Sequence, residues 1–197
     1  MRPSLVLLVA LGAAGCASAP PAPSPAAAAR AAPQPGVARY FPLAVGNTWT
    51  YQTRAGGKVE RNTVRIESRQ GGFFRDNQRG ALAFDGEGVR DERRYLILGP
   101  LEPGRKWESR LEDGRTERYE IVATGAQVQV PAGRFDDALV VRGTTPLDPA
   151  TLLEIEWSYA PGVGLVRMES TAVVDGRERI PQALMELLSF RLEEESP

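Results

Sequence analysis

The 197-residue chain has no histidine, a single cysteine and only two lysines against 22 arginines. Without histidine there is no imidazole general base, no histidine-ligated metal or haem, and no side chain that titrates unperturbed near neutral pH. One cysteine excludes an intramolecular disulfide, a Cys-rich zinc site and an iron–sulfur cluster built by one chain. The 24 basic and 25 acidic residues leave a formal net charge of −1, so no global basic surface recruits nucleic acid. No G-x-S-x-G, P-loop, G-x-G-x-x-G or Asp-rich calcium loop occurs. These absences predict a protein that is not an enzyme and holds no cofactor or metal.

Only one long apolar run exists, Leu5 to Ala14. Ten helical residues span roughly 15 Å, half of a ~30 Å hydrocarbon core. Preceded by Arg2, the run reads as the core of an export signal over residues 1–15 rather than a membrane-spanning helix. Small residues then lead to the cysteine, in Ala13-Ala14-Gly15-Cys16. This segment resembles the lipobox of bacterial lipoproteins, with Ala13 where that family usually has Leu. The resemblance implies diacylglyceryl transfer to the Cys16 sulfur and cleavage before it. A competing A-x-A site, Ala17-Ser18-Ala19, would instead release an unlipidated chain. Acyl chains contribute about 0.8 kcal/mol per buried methylene, so two or three anchor stably where one does not. Ala17, not Asp, follows the cysteine, which implies an outer-membrane location facing the periplasm. Residues 16–39 are rich in Pro and Ala, including Pro20, Pro21, Pro23, Pro25, Pro33 and Pro35. Proline fixes φ and removes a donor, so this reads as a disordered, extended tether.

From residue 40 to 192 the texture becomes period-two alternation cut by glycine turns. Leu153 to Tyr159 sets Leu153, Ile155, Trp157 and Tyr159 against Glu154, Glu156 and Ser158. Thr63–Arg69, Arg105–Asp113, Thr116–Ala123 and Val163–Val174 read as further strands. Asp85-Gly86, Asp113-Gly114 and Asp175-Gly176 favour tight hairpins. Ile180–Leu192 fits either an amphipathic helix or a strand, and strand alternation fits better. Residues 193–197 form an acidic tail. Ten or eleven strands with short connections and no strong helix predict an all-β domain. The expected architecture is a single antiparallel meander curled into a curved sheet or incomplete β-barrel.

Three segments carry a family resemblance: Tyr40 to Tyr51 (YFPLAVGNTWTY), Val130 to Ala138 (VPAGRFDDA) and Tyr159 to Val166 (YAPGVGLV). Together they resemble a widespread group of uncharacterised bacterial envelope lipoproteins. That group is distantly similar to the curved-sheet proteins that carry lipoproteins and bind lipids. The resemblance brings no catalytic residues with it. The residues themselves predict core roles: Trp49 and Tyr51 on one face of the first strand, Phe135 re-entering the core, and Gly164 permitting a bulge or close backbone approach.

Candidate acid–base pairs are weak. Asp136 and Asp137 are adjacent and point to opposite faces of a strand. Glu154 and Glu156 share a face at about 6.5–7 Å, but as a solvated strand face. The mixed run Arg90-Asp91-Glu92-Arg93-Arg94 reads as a solvated turn or strand edge. The expected role is therefore a lipid-anchored envelope protein. Its aromatic residues Trp49, Trp107, Phe135, Trp157 and Tyr159 would line a cavity for a hydrophobic ligand such as a lipid or acyl chain. The alternative is a module that binds another envelope protein through sheet edges or loops. Mass spectrometry of the mature N-terminal peptide checks the anchor. The expected result is an acylated peptide beginning at Cys16, whereas an unmodified peptide beginning at Pro20 would show cleavage at the A-x-A site.

Overall fold

The computed structural model describes residues 36–193. The expected signal peptide, Cys16, the expected tether up to residue 35, and residues 194–197 of the expected acidic tail lie outside the described residues. A short 3-10 turn, Gly36–Tyr40, opens the domain. Twelve strands follow: β1 Thr48–Ala55, β2 Lys58–Gln70, β3 Phe73–Asp76, β4 Ala81–Phe84, β5 Gly88–Arg90, β6 Tyr95–Leu98, β7 Lys106–Arg110, β8 Thr116–Val130, β9 Gly133–Pro146, β10 Thr151–Ala160, β11 Gly164–Val174 and β12 Glu178–Arg191. The 180–192 segment is a strand, since both neighbours offer it a full antiparallel ladder. The strand total exceeds the expected ten or eleven because residues 73–98 fold into four strands of three or four residues each.

All neighbouring strands are antiparallel, in the order β6-β5-β4-β3-β2-β1-β12-β11-β10-β9-β8-β7. The meander is interrupted once, where β1 pairs with β12. The sheet curls into a nearly closed barrel whose two edges, β6 and β7, are consecutive in the chain. Side chains bridge this unsealed seam. The Trp107 indole donates to the Tyr95 carbonyl at 3.0 Å. Arg93 pairs with Glu112 at 2.6 Å, and Arg94 reaches Glu117 and the Tyr119 hydroxyl. Both edges are short, and β7 carries Lys106 and Arg110, which discourages pairing with a foreign strand.

Two apolar clusters fill the structure. The first gathers Val37 and Tyr40 of the 3-10 turn with Ile97, Trp107, Tyr119, Leu139, Val141 and Tyr159. The second gathers Trp49, Tyr51, Ile66, Val128, Val130, Val166 and Leu187, with Phe135 and Phe190 partly buried beside them. Residues 36–39, expected in the tether, therefore belong to the domain and help plug it. The outer face is charged instead. One ladder row runs Lys106, Glu120, Arg142, Glu156, Glu169, with Lys106–Glu120 and Arg142–Glu156 pairs at 3.7 and 3.0 Å. A lipid-spanning barrel needs an apolar outward belt, and this face is the reverse.

The three recognised segments meet at one junction. The Trp49 indole donates to the Val163 carbonyl at 2.7 Å, and the Tyr51 hydroxyl to the Leu165 carbonyl at 3.0 Å. The Gly162 amide donates to Arg39 O at 2.6 Å, and the Tyr40 hydroxyl to Asp137 O at 3.3 Å. Gly164 has φ +102°, and an added Cβ would stand 3.6 Å from the Trp49 Nε1. That distance is ordinary contact, so it is the positive φ, not crowding, that calls for glycine here. Asp137 departs from strand alternation, with φ 62°. It pairs with Arg39 while Asp136 pairs with Arg134, so the two serve different partners. Replacing Trp49 with Phe keeps most of the apolar area and removes the buried donor. The Val163 carbonyl then loses its partner, and stability should fall by about 1–3 kcal/mol in urea unfolding. An unchanged midpoint would show that the bond contributes nothing.

Candidate functional site

Directly paired residues of an antiparallel ladder lie on the same face. Starting from Ile121 and Val141, both fully buried in the first cluster, one interior row can be followed strand by strand. It reads Ile121, Val141, Trp157, Met168, Met185, Thr53. The next row is Trp107, Tyr119, Gly143, Ile155, Ser170, Ala183, Ala55. Both rows begin buried on β7–β9 and become only partly buried on β10–β12. The inner face of β10–β12 thus carries Leu153, Ile155, Trp157, Met168 and Met185, apolar and only partly buried. A separate groove of about 500 Å³ beside the β1–β2 hairpin is lined by Ala55, Ser170 and Ala183 together with Arg54, Lys58 and Glu169, and by none of those five residues. Methionine suits that inner face, since its unbranched, polarizable side chain adapts to irregular apolar shapes. Among the residues after Met1, Met168 and Met185 are the only methionines.

Trp157 is set by its neighbour across the ladder. An added Cβ on Gly143 would stand 2.7 Å and 2.8 Å from the ring atoms Cζ3 and Cη2, so the indole lies over the glycine. It continues an aromatic stack in which Trp107 and Tyr119 are 5.2 Å apart and nearly parallel, and Tyr119 and Trp157 are 6.0 Å apart.

A polar group sits beside this stack. Glu117 is 3% exposed. It shares the inner face with Tyr119 because the two are separated by two positions on β8. Its Oε2 accepts from Arg94 and from the Tyr119 hydroxyl. Its Oε1 takes no hydrogen bond among the described residues and lies 3.5 Å from the Gly143 Cβ position, next to the Trp157 ring. Arg94 comes from the β5–β6 loop. Its Nε is held by Asp91 Oδ2 at 3.0 Å, and Asp91 Oδ1 accepts the Arg93 and Arg94 amides. Burial, and then the Glu117 hydrogen bond, push the Tyr119 phenol far above its ordinary range. Burial works against the Arg94 charge, but Tyr119, Glu117 and Asp91 outweigh it and raise its pKa. Both groups hold their neutral-pH forms, phenol and guanidinium.

The five sequence-nominated aromatics do not converge. Trp107, Trp157 and Tyr159 belong to the first cluster; Trp49 and Phe135 pack in the second. Of the five, Trp157 lies on the partly buried inner face of β10–β12. Met168, Met185, Glu117 and Arg94 were not singled out by sequence. The shared parity of Glu117 and Tyr119 was the available signal for Glu117. The Arg90–Arg94 run is not uniformly solvated, since Arg94 crosses the seam. Glu154 and Glu156 pair with Arg179 and Arg142 on the outer face. Among the described residues no three acidic or thiol side chains converge as a metal site.

No family model matches the chain, and no curated protein matches it. Two solved structures are similar in fold. One is a predicted exported protein with a YmcC-like fold from Bacteroides fragilis, at 16% identity and TM-score 0.50, covering 77% of this chain and 98% of that one. The other is a predicted lipoprotein from Parabacteroides distasonis, at 12% identity and TM-score 0.42, covering 80% of this chain and all of that one.

Replacing Gly143 with Ala tests the site geometry. The methyl displaces the Trp157 ring, and the overpacking should cost about 1–3 kcal/mol and shift the tryptophan emission. A variant with unaltered stability and emission would place the ring elsewhere.

Proposed function

We propose that this protein is a non-enzymatic, lipid-anchored component of the bacterial cell envelope that holds a hydrophobic ligand, such as a lipid or acyl chain, along the inner face of β10–β12 in its nearly closed barrel. The observation that carries the reading is the interior row Trp157–Met168–Met185, apolar yet only partly buried. A filled barrel would bury that row. The address is supported by Ala14-Gly15-Cys16 at the end of the apolar signal. It agrees with the predicted export of the similarly folded Bacteroides fragilis protein. Ala17 after the cysteine favours the outer membrane. Such an anchor brings that inner face within reach of lipids while the charged outer face keeps the barrel in water.

Binding of an envelope protein through a sheet edge has less support. The edges are four and five residues long, and the Tyr95 carbonyl on one of them is already taken by Trp107.

Native mass spectrometry of the mature lipidated chain, freed of detergent in the gas phase, tests the reading. A reproducible noncovalent adduct of lipid mass is expected, lost on denaturation and lost in Met168→Asp/Met185→Asp. A bare chain in every preparation would overturn it.

A further inference from the structure

We infer that residues 73–98 open and close as one unit along the seam between β6 and β7, and that this seam is the side entrance to the barrel interior. The entrance role rests on the ligand reading above; the motion does not. Three observations meet here. First, the backbone ladder holding this segment is thin. β3 meets β4 only through Phe74–Leu82 and Arg75–Ala81, and β4 meets β5 only through Ala83–Arg90 and Phe84–Val89. β10 is laddered to β11 along its whole length, Thr151 to Ala160, and β6 has no ladder to β7. Elements with few backbone bonds and little burial open locally, well below the energy of global unfolding.

Second, the segment is tied to itself. Asp85 accepts the Glu87 and Gly88 amides, the Arg90 guanidinium and the Tyr95 hydroxyl. Asp76 accepts the Gln78 and Gly80 amides, and Asp91 those of Arg93 and Arg94. Arg75 reaches Glu92 at 3.4 Å. These bonds hold the short strands to one another, so the segment moves as a body. Its polar ties to β2, from Asn77 to Thr63 and Arg65, lie on the hinge side. The Gly71-Gly72 turn, with both glycines at positive φ, and the connection 99–105 are the hinges.

Third, the seam is already parted at the surface. A cleft of about 310 Å³ lies between Asp91, Arg93 and Arg94 on one bank and Arg110, Glu112 and Asp113 on the other. Side chains alone close it: the exposed Arg93–Glu112 pair, which contributes little in water, the Trp107 bond to the Tyr95 carbonyl, and Arg94 on Glu117. Behind them, Val89 of β5 and Ile97 of β6 pack in the first cluster with Trp107 and Tyr119. Swinging the segment outward uncovers that stack, and with it the Trp157 end of the inner face, from the side.

Hydrogen exchange on the mature full-length chain reads the motion. Protection of β5 and β6 should lie at least about tenfold below that of β10 and β11. In Gly88→Ala the added Cβ would stand 2.2 Å from the Ile97 carbonyl oxygen, which parts β5 from β6. Protection should then fall further within 73–98 while β10 and β11 keep theirs. In Arg93→Cys/Glu112→Cys joined by a short bis-maleimide, protection across 73–98 should rise at least about tenfold, again with β10 and β11 unchanged. Equal protection of the two regions in the wild type, or a linked variant in which 73–98 exchanges as before, would overturn the unit. Native mass spectrometry with added myristate reads the entrance, and the adduct should form more slowly in the linked chain than in the unlinked one. Equal rates would overturn the entrance and leave the unit standing. No adduct in either chain would overturn the ligand reading together with the entrance, and the exchange result would still decide the motion.

Discussion

The pairing of β1 with β12 is the constraint from which the rest of the architecture follows. A twelve-strand meander left to itself would expose its first and last strands as edges. Here those two strands pair over Thr48–Ala55 and Ala183–Arg191, and the edges fall mid-chain at β6 and β7. The pairing is anchored by more than the ladder. Tyr51 packs opposite Leu187 and Trp49 opposite Phe190. The Asn47 side chain, 1% exposed, accepts the Glu193 amide at 2.7 Å and donates to Pro42 O at 3.0 Å. The ends of the domain are tied together, and the opening is left where the chain has only a seven-residue connection, 99–105.

That displacement of the opening explains the polar chemistry at the seam. Two free strand edges cannot stay unpaired and uncovered without inviting foreign strands. The chain answers with side chains in place of a backbone ladder: an indole on a carbonyl, an arginine on a buried glutamate, and a surface ion pair. The surface pair contributes little in water. Arg94–Glu117 differs because the glutamate is buried.

Much of the fold was legible in sequence because its signals are local. Alternation over Leu153–Tyr159 and Thr116–Ala123 requires only a half-buried strand, and both are strands. The Pro161-Gly162 and Asp175-Gly176 turns stand where their φ preferences place them, with Gly162 at +69° and Gly176 at +65°. The three family-like segments also fell together, as one junction around Trp49, Val163 and Arg39. What could not be read was long-range. Nothing local to Val37 says that the 3-10 turn enters the core. The register Trp157–Met168–Met185 depends on bulges at Ser158/Tyr159 and Ser170/Thr171, which move partners by one residue and are invisible to periodicity. Counting aromatics therefore nominated Trp49 and Phe135, which the ladder places in another cluster, and passed over two methionines.

The Arg94–Glu117 pair is hard to explain as a stabiliser alone. An apolar pair of similar volume is often as stable or more so, because it avoids desolvating two charges. A barrel that needed only to close its seam could have used leucine and methionine there, in keeping with the Tyr119, Trp107 and Trp157 rings around it. The ion pair does what those residues cannot: it fixes a carboxylate on the inner face beside the aromatic stack, with Asp91 as a second carboxylate on the same guanidinium. Arg94 and the Tyr119 hydroxyl fix the carboxylate from one side, and Gly143 lets the Trp157 ring settle beside its other oxygen. Position, rather than stability, is what this arrangement secures.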